Sequence, residues 1–252
     1  MLRLAKNLNG YKLSARDGEI GKVQDFYFDD KNWAIRYLIA DTGNWLTGRQ
    51  VLIAPHALEA ANENALVIPA ALTRKQIEDS PSLDTDKPVS RQFEMQYYPY
   101  YGWPEYWAGS DTSLGNGYPM MPTGPAPTLP AKENDPHLRS TAAVSGYAID
   151  AQDGEIGHVK DFVIDDETWV VRYLVVDTQN WWPGKKVLVS TLWIDRISWA
   201  ESKVVVHMTR ESIKSAPEYS DTALITRDYE SHLHGHYRQS GYWTQGAAGG
   251  GR

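Results

Sequence analysis

Asn9–Leu52 reads NGYKLSARDGEIGKVQDFYFDDKNWAIRYLIADTGNWLTGRQVL, and Ser145–Leu188 reads SGYAIDAQDGEIGHVKDFVIDDETWVVRYLVVDTQNWWPGKKVL. The two stretches align without a gap at an offset of 136. The register holds far downstream, through LTRKQIEDSP (72–81) against MTRESIKSAP (208–217) and SRQFE (90–94) against TRDYE (226–230). It reaches Tyr106-Trp107 against Tyr242-Trp243. A self-match of this extent is a duplicated unit of roughly 100 residues, an ordinary domain size. The chain therefore divides into a first repeat over 1–107, a Pro/Gly/Ser-rich linker over 108–141, a second repeat over 142–243 and a flexible tail over 244–252. Proline mixed with glycine and serine makes a semi-extended tether. Such a segment can also serve as a ligand for an aromatic groove, and tethering is the plainer reading.

Within each copy the pattern is that of short strands. Asp17-Gly18 and Asp153-Gly154 sit between apolar runs, a hairpin signal because the turn needs positive φ angles. Ile20 and Val23 cannot share a face of a regular strand, so Gly21 and its twin Gly157 predict a bulge or sharp bend. AIRYLIAD, RQVLIA and ALVIPA continue the strands of the first copy, and VVRYLVVD, KKVLVS and KVVVHM those of the second. Close-set, bent strands favour small barrels, since closure removes exposed edges. Thr73 and Thr209 stand at helix N-cap positions, with Pro81 and Pro217 where those helices must stop. A second helical or irregular segment starts at Ser90 and Thr226.

Composition bounds the function. A net charge of −7 disfavours a protein that lives on phosphate backbones. The chain has no cysteine, which removes disulfides, thiolate metal sites and thiol catalysis. MLRLAKNLNGYKL is too short and polar for a signal peptide, and no apolar run approaches the roughly 20 residues of a membrane span. The expectation is a soluble, cytoplasmic protein.

Gly-Tyr near the start, DGEIG, the V-x-D-F strand, RYL, DT-x-N-W and the closing TR-x-x-I together resemble the PRC-barrel domain, over about 10–81 and 146–217. That family takes its name from the cytoplasmic portion of the photosynthetic reaction-centre H subunit, and the ribosome maturation factor RimM carries a related barrel. The resemblance implies a mainly β fold of two small barrels, each followed by a short helix and an aromatic tail. It implies an assembly or interaction module and brings no shared catalytic residues. The membrane helix of the H subunit and the N-terminal domain of RimM have no counterpart in this sequence.

DGEIG runs into a strand, and Asp17 and Glu19 would repel an anion, so it is a turn and not a phosphate cradle. Asp29-Asp30 and Asp165-Asp166 offer only adjacent carboxylates, which favours a solvated hairpin tip over a cation loop. Asp25, Arg36 and Asp41 recur as Asp161, Arg172 and Asp177. An arginine in an apolar strand needs a carboxylate partner, so this set reads as a structural ion pair, with a ligand-binding polar pocket as the sharper alternative. His232, His234 and His236 would share one side of a strand, a pattern with metal-ligand potential, but the first copy has Gln96, Tyr98 and Tyr100 there. No metal, cofactor or catalytic constellation follows, and the expectation is a non-enzymatic protein.

The aromatic tails remain. QYYPYYGWPEYW (96–107) would be a large sticky patch if exposed. It has no lysine or arginine to hold phosphates, which argues against stacked nucleic-acid bases. Tyr100, Tyr101, Trp103, Tyr106, Trp107, Tyr242 and Trp243 either cover a barrel of the chain itself or dock a protein partner. Two such similar copies are further expected to pair with each other as a pseudo-dimer, with a homo-oligomer as the intermolecular version.

Overall fold

The computed structural model describes residues 1–47, 49–81, 83–84, 89–107, 138–178 and 185–244. Most of the expected linker and tail, residues 108–137 and 245–252, lies outside these. The first repeat runs β1 (Leu2–Leu4), α1 (Ala5–Leu8), β2 (Lys12–Ala15), β3 (Gly18–Asp29), β4 (Ala34–Asp41), β5 (Arg49–Ile53), β6 (Val67–Pro69), α2 (Arg74–Glu78), β7 (Leu83–Asp84) and α3 (Arg91–Tyr101). The second runs β8 (Leu138–Ser140), α4 (Thr141–Val144), β9 (Ala148–Ala151), β10 (Gly154–Asp165), β11 (Val170–Asp177), β12 (Lys186–Ser190), β13 (Ile194–Ser198), β14 (Lys203–Val206), α5 (Arg210–Lys214) and α6 (Arg227–His236). The fold is mainly β.

The DGEIG stretch turns β2 into β3 and then bends β3. Leu13 pairs with Gly21, and the register slips between Leu13 and Ser14. Gly21 has φ of +152°, and a Cβ there would come within 2.0 Å of the Asp41 carbonyl oxygen. Gly157 repeats the arrangement with φ of +126° and the Asp177 carbonyl oxygen at 2.2 Å. The glycine is therefore needed twice over, for its backbone angle and for the close approach of the end of the neighbouring strand.

Thr73 caps α2 through a full capping box with Gln76, and Thr209 accepts from the Ser212 N–H at the start of α5. Ser90 and Thr226 cap two longer helices, α3 and α6. This corrects the reading of the three histidines. His232, His234 and His236 lie on a helix, not a strand, so their spacing does not put them on one face. His232 is exposed and His234 buried. Among the described residues no group of three His, Asp or Glu could hold a metal ion.

Two short N-terminal arms cross between the repeats. β1 lies antiparallel on β10, with Leu2 opposite Asp165 and Leu4 opposite Val163. β8 lies on β3 in the same register, with Leu138 opposite Asp29 and Ser140 opposite Tyr27. Leu138–Thr141, assigned above to the linker, thus form a strand and the start of a helix. A third contact joins β4 to β11, where Ile35 N–H donates to the Trp169 carbonyl and Val171 N–H to the Trp33 carbonyl, both at 2.7 Å. Trp33 and Trp169 both hold positive φ, +55° and +54°, uncommon for bulky residues and repeated at twin positions.

The hydrogen-bonded strands consequently do not stop at a repeat boundary. Fourteen described strands join one sheet network, whose main path is β13-β14-β9-β10-β11-β4-β3-β2-β6. The core runs through it, and Phe28 and Phe162, both fully buried, meet with ring centroids 5.4 Å apart. Burying a phenylalanine contributes about 1.5–3 kcal/mol, so this pair is a substantial part of the junction.

Candidate functional site

Arg36 leaves β4 and Arg172 leaves β11 at the same place in RYL. Arg36 donates to Asp29 Oδ2 at 2.9 Å, and Arg172 donates to Asp165 Oδ2 at 3.2 Å. The structural ion pair is present, with a different partner from the one expected. It closes the β3–β4 and β10–β11 hairpins, and Asp29 is buried instead of lying at a solvated tip. Burial alone would push Asp29 up, but hydrogen bonds from Arg36, Asn32 and the Lys31 N–H outweigh it and hold the carboxyl below its ordinary value.

Asp25, Arg36 and Asp41 do not form one cluster, nor do their twins. Asp25 accepts from the hydroxyls of Ser140 and Thr141 on the arm of the other repeat. Asp161 accepts from the Lys6 N–H at 3.3 Å on the reciprocal arm. Asp41 accepts from the Gly43 N–H in its own turn, while Asp177 is buried at the end of β11.

The other face of each arginine leads to a centre that the sequence reading missed. The Arg36 guanidinium lies 3.7 Å from the centroid of Tyr106, and that of Arg172 lies 4.1 Å from Tyr242. Tyr106 donates to Glu94 Oε1 at 2.8 Å, and Tyr37 donates to the same oxygen at 3.0 Å. In the second repeat Tyr242 and Tyr173 donate to Glu230 Oε1 at 2.9 and 2.8 Å. Arg91 and Arg227, one helical turn before these glutamates, pair with their Oε2 at 3.1 and 2.9 Å. Glu94 is 0% exposed and Glu230 2%. Burial and the adjacent glutamate push the Tyr173 and Tyr37 hydroxyls far above the ordinary phenol value. A signal was available: SRQFE and TRDYE keep both the arginine and the glutamate, and RYL keeps the tyrosine.

Chemically each centre is a staple. One buried carboxylate collects a strand tyrosine, a tail tyrosine and a helix arginine, so α3 and α6 are held to their sheets together with the aromatic tails. Tyr97 reinforces this in the first repeat by donating to the Leu52 carbonyl. Trp107 and Trp243 lie beneath Arg91 and Arg227 at 4.4 and 4.3 Å. Tyr101 stacks on Trp103 with centroids 4.3 Å apart, and Tyr100, 41% exposed, donates to the Gln76 carbonyl. The tail aromatics therefore pack on their own repeats, and Tyr100 is the most open of the seven.

One cleft of about 600 Å³ spans the two repeats. Asp30, Lys31 and Trp33 of the first repeat face Arg172, Thr191 and Arg196 of the second across it. Its lining mixes both signs of charge, and Arg196 is already paired with Asp195 at 2.9 Å. No helix among the described residues is long and apolar enough to cross a membrane.

Comparison with known proteins agrees with the duplication. The family model for the PRC-barrel domain matches residues 3–70 and again residues 147–212. A search of curated proteins finds no match.

Proposed function

Given that the chain belongs to the PRC-barrel domain family, present in two copies, we propose that it is a non-enzymatic assembly scaffold. In this reading each copy is a small barrel with a helix and an aromatic tail, and the two copies form one pseudo-symmetric unit that docks protein partners. The observation that carries it is the reciprocal exchange of arms, β1 onto β10 and β8 onto β3 in equivalent register. Such an exchange makes an isologous interface within one chain, so that like surfaces are presented twice at a fixed spacing. The buried carboxylates support the same reading, since Glu94 and Glu230 hold elements together and lie away from solvent.

Affinity purification of the full chain under native conditions, with mass spectrometry and nucleic-acid quantification of the eluate, tests this. The expected result is a stoichiometric protein partner retained without nucleic acid or metabolite. Ribosomal subunits in the eluate would favour a RimM-like maturation role. A metabolite carried through purification would favour ligand binding, and either result overturns the scaffold.

A further inference from the structure

β13 (Ile194–Ser198) ends the sheet path in the second repeat. It pairs antiparallel with β14, Ile197 opposite Val204 and Ser198 opposite Lys203, and among the described residues no strand lies on its other edge. The cleft between the repeats is lined by Ile194, Asp195, Arg196 and Ile197 in succession, and by no residue of β14. Successive side chains of a strand point to opposite faces, so a cleft met by consecutive residues approaches the strand from its side. The space of about 600 Å³ therefore opens along an unpaired edge, whose N–H and C=O groups can take another strand.

The fold itself completes edges by adding short extended segments. β1 and β8 do so as exchanged arms, and β7 does so on β5, where Asp84 stands opposite Arg49. The duplication gives a comparison within the chain. Residues 58–62, the equivalents of β13, make isolated bridges from Leu58 to Ala70 and from Asn62 to Val67 in place of a regular strand. Arg196 and Ile197 have Ala60 and Ala61 as twins, and Lys31 across the cleft has Glu167. In the equivalent cleft on the other side, Asp166 already holds Arg3. The backbone frame is presented twice, but the open edge with cations on both walls is presented once.

We propose that the outer edge of β13 is where the protein partner docks, as an extended peptide with acidic side chains on one face and apolar ones on the other. This rests on the scaffold reading and gives the scaffold its contact surface.

The charges select the partner. Lys31 is exposed and makes no ion pair among the described residues. Arg196 is exposed too, and is paired with its chain neighbour Asp195, which His207 also approaches at 3.4 Å. An exposed pair of this kind contributes little, so both cations are open to a carboxylate from outside. Lys31 belongs to the first repeat and Arg196 to the second, so an acidic strand between them is held from both walls. Asp30, beside Lys31, is offset by the charge of Arg139 on β8, and Arg172 is engaged by Asp165. Leu192, 50% exposed, and the half-buried Ile194 supply the apolar contact. In such an addition main-chain hydrogen bonds give affinity, and pockets for alternate side chains give specificity.

Fluorescence anisotropy of the full chain with a labelled octapeptide of alternating valine and glutamate tests the proposal. Saturable binding is expected, with none for the valine–lysine counterpart. A strand presents alternate N–H groups to one side, so methylating the peptide nitrogens of one residue type should abolish binding and methylating those of the other should be tolerated. Lys31→Glu and Arg196→Ala, each installing the residue of the other repeat, should weaken binding by about fivefold apiece at low salt. Hydrogen exchange should slow over 194–198 and stay unchanged over 58–62. No saturable binding, equal binding of the lysine peptide, equal tolerance of both methylated sets, or protection away from 194–198 overturns the proposal. Native purification separates it from the scaffold reading. A protein partner retained equally by the parent chain and the double variant overturns the edge and leaves the scaffold standing. Peptide binding at 194–198 with no protein partner in the eluate keeps the edge and overturns the scaffold.

Discussion

Asp25 of the first repeat caps a helix of the second: its Oδ1 accepts from the Thr141 hydroxyl at 2.5 Å and from the Ala142 N–H at 3.2 Å. Its twin Asp161 does the same for α1, through the Lys6 N–H, and adds Lys6 Nζ at 3.8 Å. The exchanged arms are therefore fastened by side chains as well as by strand pairing.

Replacing Asp25 with alanine is expected to cost about 1.5–3 kcal/mol, the range for hydrogen bonds to a charged group. Urea denaturation of Asp25→Ala against the parent chain measures this. Cleavage within 108–137 gives a second readout. The nicked halves of the parent chain should co-elute on size exclusion, and the Asp25→Ala halves should separate at lower urea. Halves that part without denaturant would show that the arms do not hold the repeats together.

Gly21→Ala and Gly157→Ala are expected to be among the most damaging single changes. Each meets a carbonyl oxygen of the adjacent strand end at 2.0 or 2.2 Å and also strains the backbone. Costs of about 3 kcal/mol or more follow from the clash and the angle together. Gly43, with φ of +58° and open space around it, isolates the angle alone, so Gly43→Ala should lose only about 1–2 kcal/mol. Thermal melting of the three variants separates the two contributions.

These glycines also mark how far the sequence could be read. Local signals are visible in one repeat: the Asp-Gly turn, the bend at Gly21, the caps at Thr73 and Ser90 and the proline stop at Pro81 all depend on a few neighbouring residues. The duplication added that Arg36, Glu94 and Tyr37 recur, though not which of them touch. Arg36 could be matched to a carboxylate on grounds of cost, but choosing Asp29 over Asp25 required the β3–β4 register, in which a shift between Tyr27 and Phe28 alters which residues face each other. The arms β1 and β8 were illegible for a different reason. Each is three residues long, too short for a periodic pattern, and becomes a strand only because the other repeat supplies its partner.

The staples give a third prediction. Glu94→Gln and Glu230→Gln preserve size while removing the charge that Arg91 and Arg227 face. Breaking a buried pair from one side costs about 3–5 kcal/mol, so both variants should unfold at markedly lower guanidinium concentration. Tyr106→Phe and Tyr242→Phe each delete one donor and keep the ring beneath Arg36 or Arg172. A smaller loss of about 1–3 kcal/mol is expected for these. Equal midpoints for Glu94→Gln and the parent chain would mean that the carboxylate does not organise the tail.

Acid stability should show two opposing limbs. Asp29 and Asp165 are both held below the ordinary carboxyl value: burial opposes this, and hydrogen bonds outweigh it, from Arg36 and Asn32 on Asp29 and from Thr168, the Glu167 N–H and Arg172 on Asp165. For such groups the unfolded chain binds the proton first, so their stabilisation is complete above the unfolded value of about 3.9 and is lost as pH falls through the folded ones. Asp161 runs the other way. Burial raises it despite the N–H groups of Phe162 and Lys6, so the folded chain takes up its proton first and gains stability as pH falls toward the unfolded value. Within the carboxyl range the free energy of unfolding measured at stepped pH should therefore fall steeply only below about 4. Asp161→Asn is expected to remove the shallow gain above that point and leave the steep limb in place. The paired change of Asp29 and Asp165 to asparagine should do the reverse, and a steep limb that survives it would place the acid-sensitive carboxylates elsewhere.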